Sequence, residues 1–140
     1  MVYKIFFDIN IVLDFFISSR KCHKDAVNVF SLVEEKYLSG YLSESVLNTT
    51  AYLLQKDYPV DQLRKILYEM TNIFTVLECS GQIFKNAYQS KITDIEDAVL
   101  FEIALHHKME YFVTNNIKDY KKGNITQLPV VTAKELLSLF

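Results

Sequence analysis

The sequence predicts a three-layer α/β/α sandwich built on a mainly parallel central sheet of four to five strands. Two observations carry that expectation. Short apolar runs, too short for helices, recur at residues 2–7, 73–77 and 111–114. Between them lie longer segments whose apolar residues repeat at helical spacing. Strands that alternate with helices form parallel sheets with helices on both faces.

The elements follow in order. Residues 2–7, Val-Tyr-Lys-Ile-Phe-Phe, read as a buried strand of the parallel type. Asn10 is the expected N-cap of a helix reaching Ile17, with Ile11, Val12, Phe15 and Phe16 on its buried face. Residues 18–23 form a loop. A second helix is predicted over residues 24–38, with Ala26, Val29, Phe30, Val33 and Tyr37 in register and Gly40 as its stop. Tyr41 and Leu42 suit a very short strand. Ser43 or Ser45 then caps a helix to about Lys56. Tyr58-Pro59 marks a break before a helix over residues 62–71, with Asp61 near its start. A strand at 73–77, a helix at 80–89 and a loop at 91–94 precede a strongly apolar helix at 95–107, expected to be central. The chain closes with a strand at 111–114, a loop at 115–124, a short strand at 129–131 and a helix from Thr132.

Composition bounds the rest. A chain of 140 residues with half of them hydrophobic and only three Gly is expected to be one domain, residues 1–140, with a full core. A formal charge of −2 argues against purely electrostatic nucleic-acid binding, but not against a nuclease that keeps its basic residues local. Cys22 and Cys79 lack any metal-binding spacing and read as free thiols in a reducing compartment. The apolar stretch near the N-terminus is broken by Lys4, Asp8, Asn10 and Asp14, so it is neither a signal peptide nor a membrane span. A cytoplasmic location without membrane contact is expected.

The chemistry concentrates at strand and helix ends. Asp8 ends the first strand, where open α/β sheets place their ligand crevice. Thr93-Asp94-Ile95-Glu96-Asp97 opens the apolar helix, and Asn115, Asn116 and Asp119 follow the strand at 111–114. Mg²⁺ and Mn²⁺ take such oxygen ligands, and the cation offsets the repulsion between neighbouring carboxylates. Asp8, Asp97 and Asp119, with Asn116 as a neutral donor, are the candidate catalytic and metal-binding residues. Asn10 and Thr114 are candidate hydrogen-bond supports. Asp94, Glu96 and Asp97 equally suit the positive end of a helix dipole. Lys118, Lys121 and Lys122 flank the proposed pocket and are candidates for RNA phosphates, although each also suits a solvated loop. His106 and His107 fit a helix C-terminus better than a ligand role, being roughly 15 Å along the helix from Asp97. Tyr120 is read as packing. Leu53, Leu54, Tyr58, Leu63 and Leu67 are candidates for an exposed docking face.

Three segments together resemble the PIN domain family, small metal-dependent ribonucleases that include the toxins of VapBC-type toxin–antitoxin pairs. They are Phe7-Asp8-Ile9-Asn10-Ile11-Val12-Leu13-Asp14, Asp94-Ile95-Glu96-Asp97-Ala98, and Val113-Thr114-Asn115-Asn116-Ile117-Lys118-Asp119-Tyr120. The resemblance implies a parallel sheet, one acidic pocket holding Mg²⁺ or Mn²⁺, and RNA cleavage that leaves a 5′-phosphate. The candidate docking face at Leu53, Leu54, Tyr58, Leu63 and Leu67 would suit a homodimer or a cognate antitoxin helix. The chain departs from the family pattern twice. Asn48 stands where a Glu is usual, with Glu44 one turn earlier as a possible substitute, and Asn116 stands where many members carry Asp. Fewer carboxylates favour one metal over two, and they leave open a weakened RNA- or protein-binding module. A receiver-like phospho-acceptor domain would need paired acids after the first strand, and a dehalogenase-type phosphatase would need Asp at position 10. Neither pattern is present.

Overall fold

In a computed structural model, residues 2–123 and 126–140 are described. Five parallel strands form one sheet: β1 (Lys4–Phe7), β2 (Ser39–Ser43), β3 (Thr75–Leu77), β4 (Tyr111–Val113) and β5 (Val130–Val131). Their spatial order is β3-β2-β1-β4-β5. The first strand in sequence is therefore the middle strand. Its Ile5 pairs with Gly40 on one side and Tyr111 on the other.

Ile5, Phe6 and Phe7 are completely buried, as expected of a strand covered on both faces. Alternation along the strand divides the core. Phe6 stacks on Phe112, which meets Phe101 and Tyr120. Phe7 meets Phe30 and Phe74 edge-on. The helices are α1 (Ile9–Phe16), α2 (His23–Glu34), α3 (Glu44–Leu54), α4 (Val60–Ile73), α5 (Gly81–Tyr88), α6 (Ile95–His106) and α7 (Ala133–Leu139). One layer packs α1, α2 and α7 together, and α5 packs on α6. A turn of 3₁₀ helix, Ile117–Tyr120, follows β4 and packs on α6. The three-layer α/β/α class and the order of elements are as the sequence predicts.

Several boundaries differ, each for a physical reason. The cap of α1 is Asp8, not Asn10: the Asp8 side chain accepts from the Ile9 amide. The helix predicted to run to residue 38 ends at Glu34. Lys36 adopts a left-handed conformation, φ 66°, and the Tyr37 amide bonds back to the Leu32 carbonyl. Gly40 lies within β2 and stops no helix. A Cβ there would stand 2.5 Å from Phe74 and 2.7 Å from Val33, so close packing of the sheet requires glycine. Val60 and Asp61 belong to α4, which Pro59 caps, and the helix continues through Ile73 to leave β3 only three residues. Val2 and Tyr3 precede β1 rather than joining it. The predicted loop at 115–124 contains the 3₁₀ turn, and its Asn124 lies outside the described residues.

Of the residues expected to form an exposed apolar face, Leu54 and Leu63 are buried, while Tyr58 and Leu67 are half-buried. Tyr58 instead donates its hydroxyl to the Phe16 carbonyl. Only Leu53 is exposed. The large exposed apolar side chains include Tyr52, Phe84, Tyr88 and Ile95. Among the described residues no helix is long and apolar enough to cross a membrane. Cys22 and Cys79 are free and half-buried.

Candidate acidic centre

The strand order reverses direction at β1, between β2 and β4, and the crevice of such a sheet opens where the carboxyl ends of its strands diverge. Asp8 and Thr114 sit there as the residues that follow β1 and β4. The Asp8 amide bonds to the Val113 carbonyl and the Thr114 amide to the Val131 carbonyl, so the sheet ladder itself fixes both residues. Both are completely buried.

The Asp8 carboxylate is held from several directions. Its Oδ1 accepts from the Ile9 amide at 2.8 Å, and its Oδ2 accepts from the Thr114 hydroxyl at 2.8 Å. Asn10 stands 3.5 Å from Oδ2, a long and weak contact. The Thr114 hydroxyl also accepts from the Asn116 amide at 3.1 Å. Burial pushes the Asp8 carboxyl above its ordinary value, against the lowering effect of hydrogen bonds from Thr114, Ile9, Tyr120 and Asn10.

Asp97 reaches the same place from the first turn of α6. Asp94 caps that helix by accepting from the Asp97 amide at 2.9 Å, so Asp94 positions the segment. Asp97 accepts a hydrogen bond from the Tyr120 hydroxyl at 3.1 Å. Its carboxyl is pushed up to about 6, first by burial and then by the negative charge of Asp8, with Asp94 and Asp119 adding smaller repulsions. Tyr120 is completely buried and held well above its usual phenol range by burial and by Asp8 and Asp97. Its ring packs between Phe101 and Phe112. The packing role read from the sequence is present, and the hydroxyl adds a link between two carboxylates from distant segments.

Asp119 and Asn116 are exposed at the 3₁₀ turn. Lys118, Lys121 and Lys122 are exposed on the same segment. Glu44, Asn48 and Glu96 are exposed and line a groove of about 1000 Å³ between α3, α5 and α6, with Phe84, Tyr88 and Ile95. Glu96 adjoins Asp97 in sequence, but neither Glu44 nor Asn48 hydrogen-bonds Asp8 or Asp97 among the described residues.

Among the described residues no three His, Cys, Asp or Glu side chains stand close enough to hold a metal by themselves. The donor set still fits a hard cation that retains water. Mg²⁺ is commonly bound through one or two carboxylates plus water and substrate oxygens. Asp8 and Asp97 supply two oxyanions whose mutual repulsion a cation relieves.

A second polar cluster adjoins the first. Asp14, buried within the apolar helix α1, pairs with Arg20 at 2.6 Å and accepts from the Asn115 amide at 2.9 Å. The His23 ring bonds the Asp14 carbonyl. Sequence pattern alone does not join Asp14, Arg20 and Asn115. The available signal was an acid inside an otherwise apolar helix, which requires a buried partner.

The PIN domain family profile matches residues 4–118, and the chain belongs to that family. No curated protein sequence matches it. Among solved structures it is similar to a toxin–antitoxin complex from Klebsiella pneumoniae, at 22% identity, TM-score 0.64, covering 88% of this chain and 93% of that one. It is also similar to DNA-bound VapBC from Salmonella typhimurium, at 14% identity, TM-score 0.70, covering 94% and 99%. A third is the Mycobacterium tuberculosis toxin VapC20, described as cleaving the sarcin-ricin loop, at 13% identity, TM-score 0.66, covering 84% and 95%. At these identities the likeness is one of fold.

Proposed function

We propose that the chain is a Mg²⁺- or Mn²⁺-dependent endoribonuclease, the toxin of a toxin–antitoxin pair. The observation that carries this reading is the convergence of Asp8 and Asp97, 89 positions apart in sequence, on one buried tyrosine hydroxyl at the crevice of a PIN domain. Family membership and the fold shared with a toxin described as cleaving the sarcin-ricin loop support it.

In this reading Asp8 and Asp97 hold the cation, and Asn116 and Asp119 complete the rim. A bound divalent ion would supply charge neutralisation at the scissile phosphate and would favour a water nucleophile at neutral pH. The protein's own residues do the rest. Thr114 and the Ile9 amide lock the Asp8 rotamer, so the carboxylate does not reorganise when substrate arrives. Asp97, held by the Tyr120 hydroxyl at the first turn of α6, would bind the cation or orient the attacking water.

Purified protein in Mn²⁺ is expected to cleave a generic RNA, and Asp8→Asn and Asp97→Asn are each expected to abolish cleavage while the fold remains intact by circular dichroism. Cleavage that survives both changes would place the chemistry elsewhere. No cleavage of any RNA, with no metal-dependent rise in melting temperature, would favour the second reading, a binding module weakened by Asn48 and Asn116.

The partner we propose is an antitoxin protein, as in the complexes that share the fold. A second copy of the chain is proposed to cover the apolar groove at Phe84, Tyr88 and Ile95, whose exposed side chains suit a homodimer face. Light scattering is expected to give a dimer mass that Tyr88→Lys reduces to monomer. A monomer for the unaltered chain removes this assignment.

A further inference from the structure

We propose that the groove around Arg20 is a subsite for a phosphate of single-stranded RNA, next to the acidic pair. The inference rests on the ribonuclease reading and names where the substrate backbone is held.

The groove, about 430 Å³, is lined by Asn10, Asp14, Arg20, Lys21, Asn115 and Asn116, among others. It adjoins the acids directly. Asn10 lies 3.5 Å from the Asp8 carboxylate, and the Asn116 amide shares the Thr114 hydroxyl with Asp8. A substrate phosphate at Asp8 therefore has this groove beside it.

Arg20 is prepared for an anion rather than merely buried as a counter-charge. Its backbone is pinned on both sides, the amide to the Ile17 carbonyl and the carbonyl to the His23 amide. Its side chain hydrogen-bonds through Nε alone, to Asp14 Oδ1, among the described residues. The Asp14 side chain is 6% exposed and that of Arg20 is 37% exposed, so the Arg20 side chain is partly open to solvent, and the terminal amino end of its guanidinium makes no hydrogen bond among the described residues. Two parallel N–H donors at that end match a phosphate's oxygens. Asp14 is in turn fixed by Asn115, whose own oxygen accepts from the Ala133 amide. The guanidinium is thus held in place before any ligand arrives, which limits the entropy lost on binding.

Charge points the same way. Asp14 cancels Arg20, and Lys21 leaves the groove with one positive charge in surplus. The chain as a whole is at −2, and the charges of Asp8 and Asp119 both act on Asp97 in the neighbouring acidic centre. A polyanion approaching those carboxylates needs a local cation at their edge, and the asparagine amides add neutral donors to it. The lysines selected from the sequence, Lys118, Lys121 and Lys122, follow β4 on the 3₁₀ turn and just beyond it, whereas Arg20 and Lys21 belong to the α1–α2 loop.

The test uses the Asp97→Asn protein and a labelled single-stranded RNA of about 12 nucleotides, a length within the range such grooves track. Binding is read by fluorescence anisotropy across a salt series. Adding Lys21→Ala or Arg20→Lys is expected to weaken binding several-fold. The slope of log affinity against log salt should become shallower by about 0.7 for each phosphate that the protein no longer neutralises. Arg20→Lys keeps a cation for Asp14, so it separates the loss of the planar fork from a failure to fold. Lys85→Ala, on α5, is the charge-matched control. If the parent binds RNA and both changes leave affinity and slope at the control value, the subsite is refuted while the ribonuclease reading stands. If the parent binds no RNA and the unaltered chain cleaves none, the reading itself is lost and the subsite with it.

Discussion

At the residue scale the carboxyl of Asp97 sets a pH dependence. Its ordinary value is 3.8, and burial with Asp8 nearby raises it to about 6. The folded chain therefore binds more protons than the unfolded chain between those values, and this group's contribution to stability falls as pH rises through that window. Asp8 is shifted in the same direction. In metal-free protein Asp97→Asn is expected to raise the melting temperature at neutral pH, by an amount that shrinks as the pH falls from about 6 to about 4. A gain of the same size at every pH would mean that the Asp97 charge is not what the fold resists. The residues behind this behaviour were unequally legible in the sequence. Asp8 and Thr114 stand at the ends of apolar runs, and Asp97 opens a helix, so local pattern exposes all three. The Tyr120 hydroxyl is hidden because an aromatic among aromatics reads as core, and here it is core and ligand together. The Asp14, Arg20 and Asn115 cluster joins positions as far as 101 residues apart, and no local period encodes such a contact.

At the scale of elements, the predicted helices and strands are present, and the errors concern their ends. Both α2 and α6 finish with a lysine in the left-handed region, Lys36 at φ 66° and Lys108 at φ 59°. In each case the next amide bonds to a carbonyl five residues back, Tyr37 to Leu32 and Met109 to Ala104. Sequence reading looks for glycine at that position, which is why Gly40 drew the boundary too late. A Cβ in this conformation costs about 1 kcal/mol or more. Lys36→Gly and Lys108→Gly are each expected to stabilise the protein by roughly 0.5–1 kcal/mol, read from chemical denaturation with an unchanged m-value. A loss of stability from either would show that the lysine stem contributes packing larger than its backbone strain. The Ser43 cap of α3 and the Thr132–Glu135 capping box of α7 were readable because their side chains act within four residues.

At the scale of the whole molecule, a cation bridging Asp8 and Asp97 would couple the β1 end to α6, across the sheet's middle. Binding only the folded state, a metal at one hundred times its Kd adds about 2.7 kcal/mol. A rise of several degrees in melting temperature with Mn²⁺ is expected, reversed by a chelator and absent in Asp8→Asn. An equal rise in that variant would assign the stabilisation to another site.

The position of β1 has a consequence for biosynthesis. β1 needs a neighbour that begins at Tyr111, more than a hundred residues later in the chain. A ribosome delivers that neighbour only after about a hundred further residues, so the β1 segment emerges without its Val113 and Thr114 partners. A nascent chain stopped before β4 has Asp8 and its Ile9 amide contact, but lacks the Thr114 hydroxyl that holds the other carboxylate oxygen. The carboxylates of Asp8 and Asp97 meet the Tyr120 hydroxyl only once β4 and the turn after it have been made, so the acidic centre assembles in one late step.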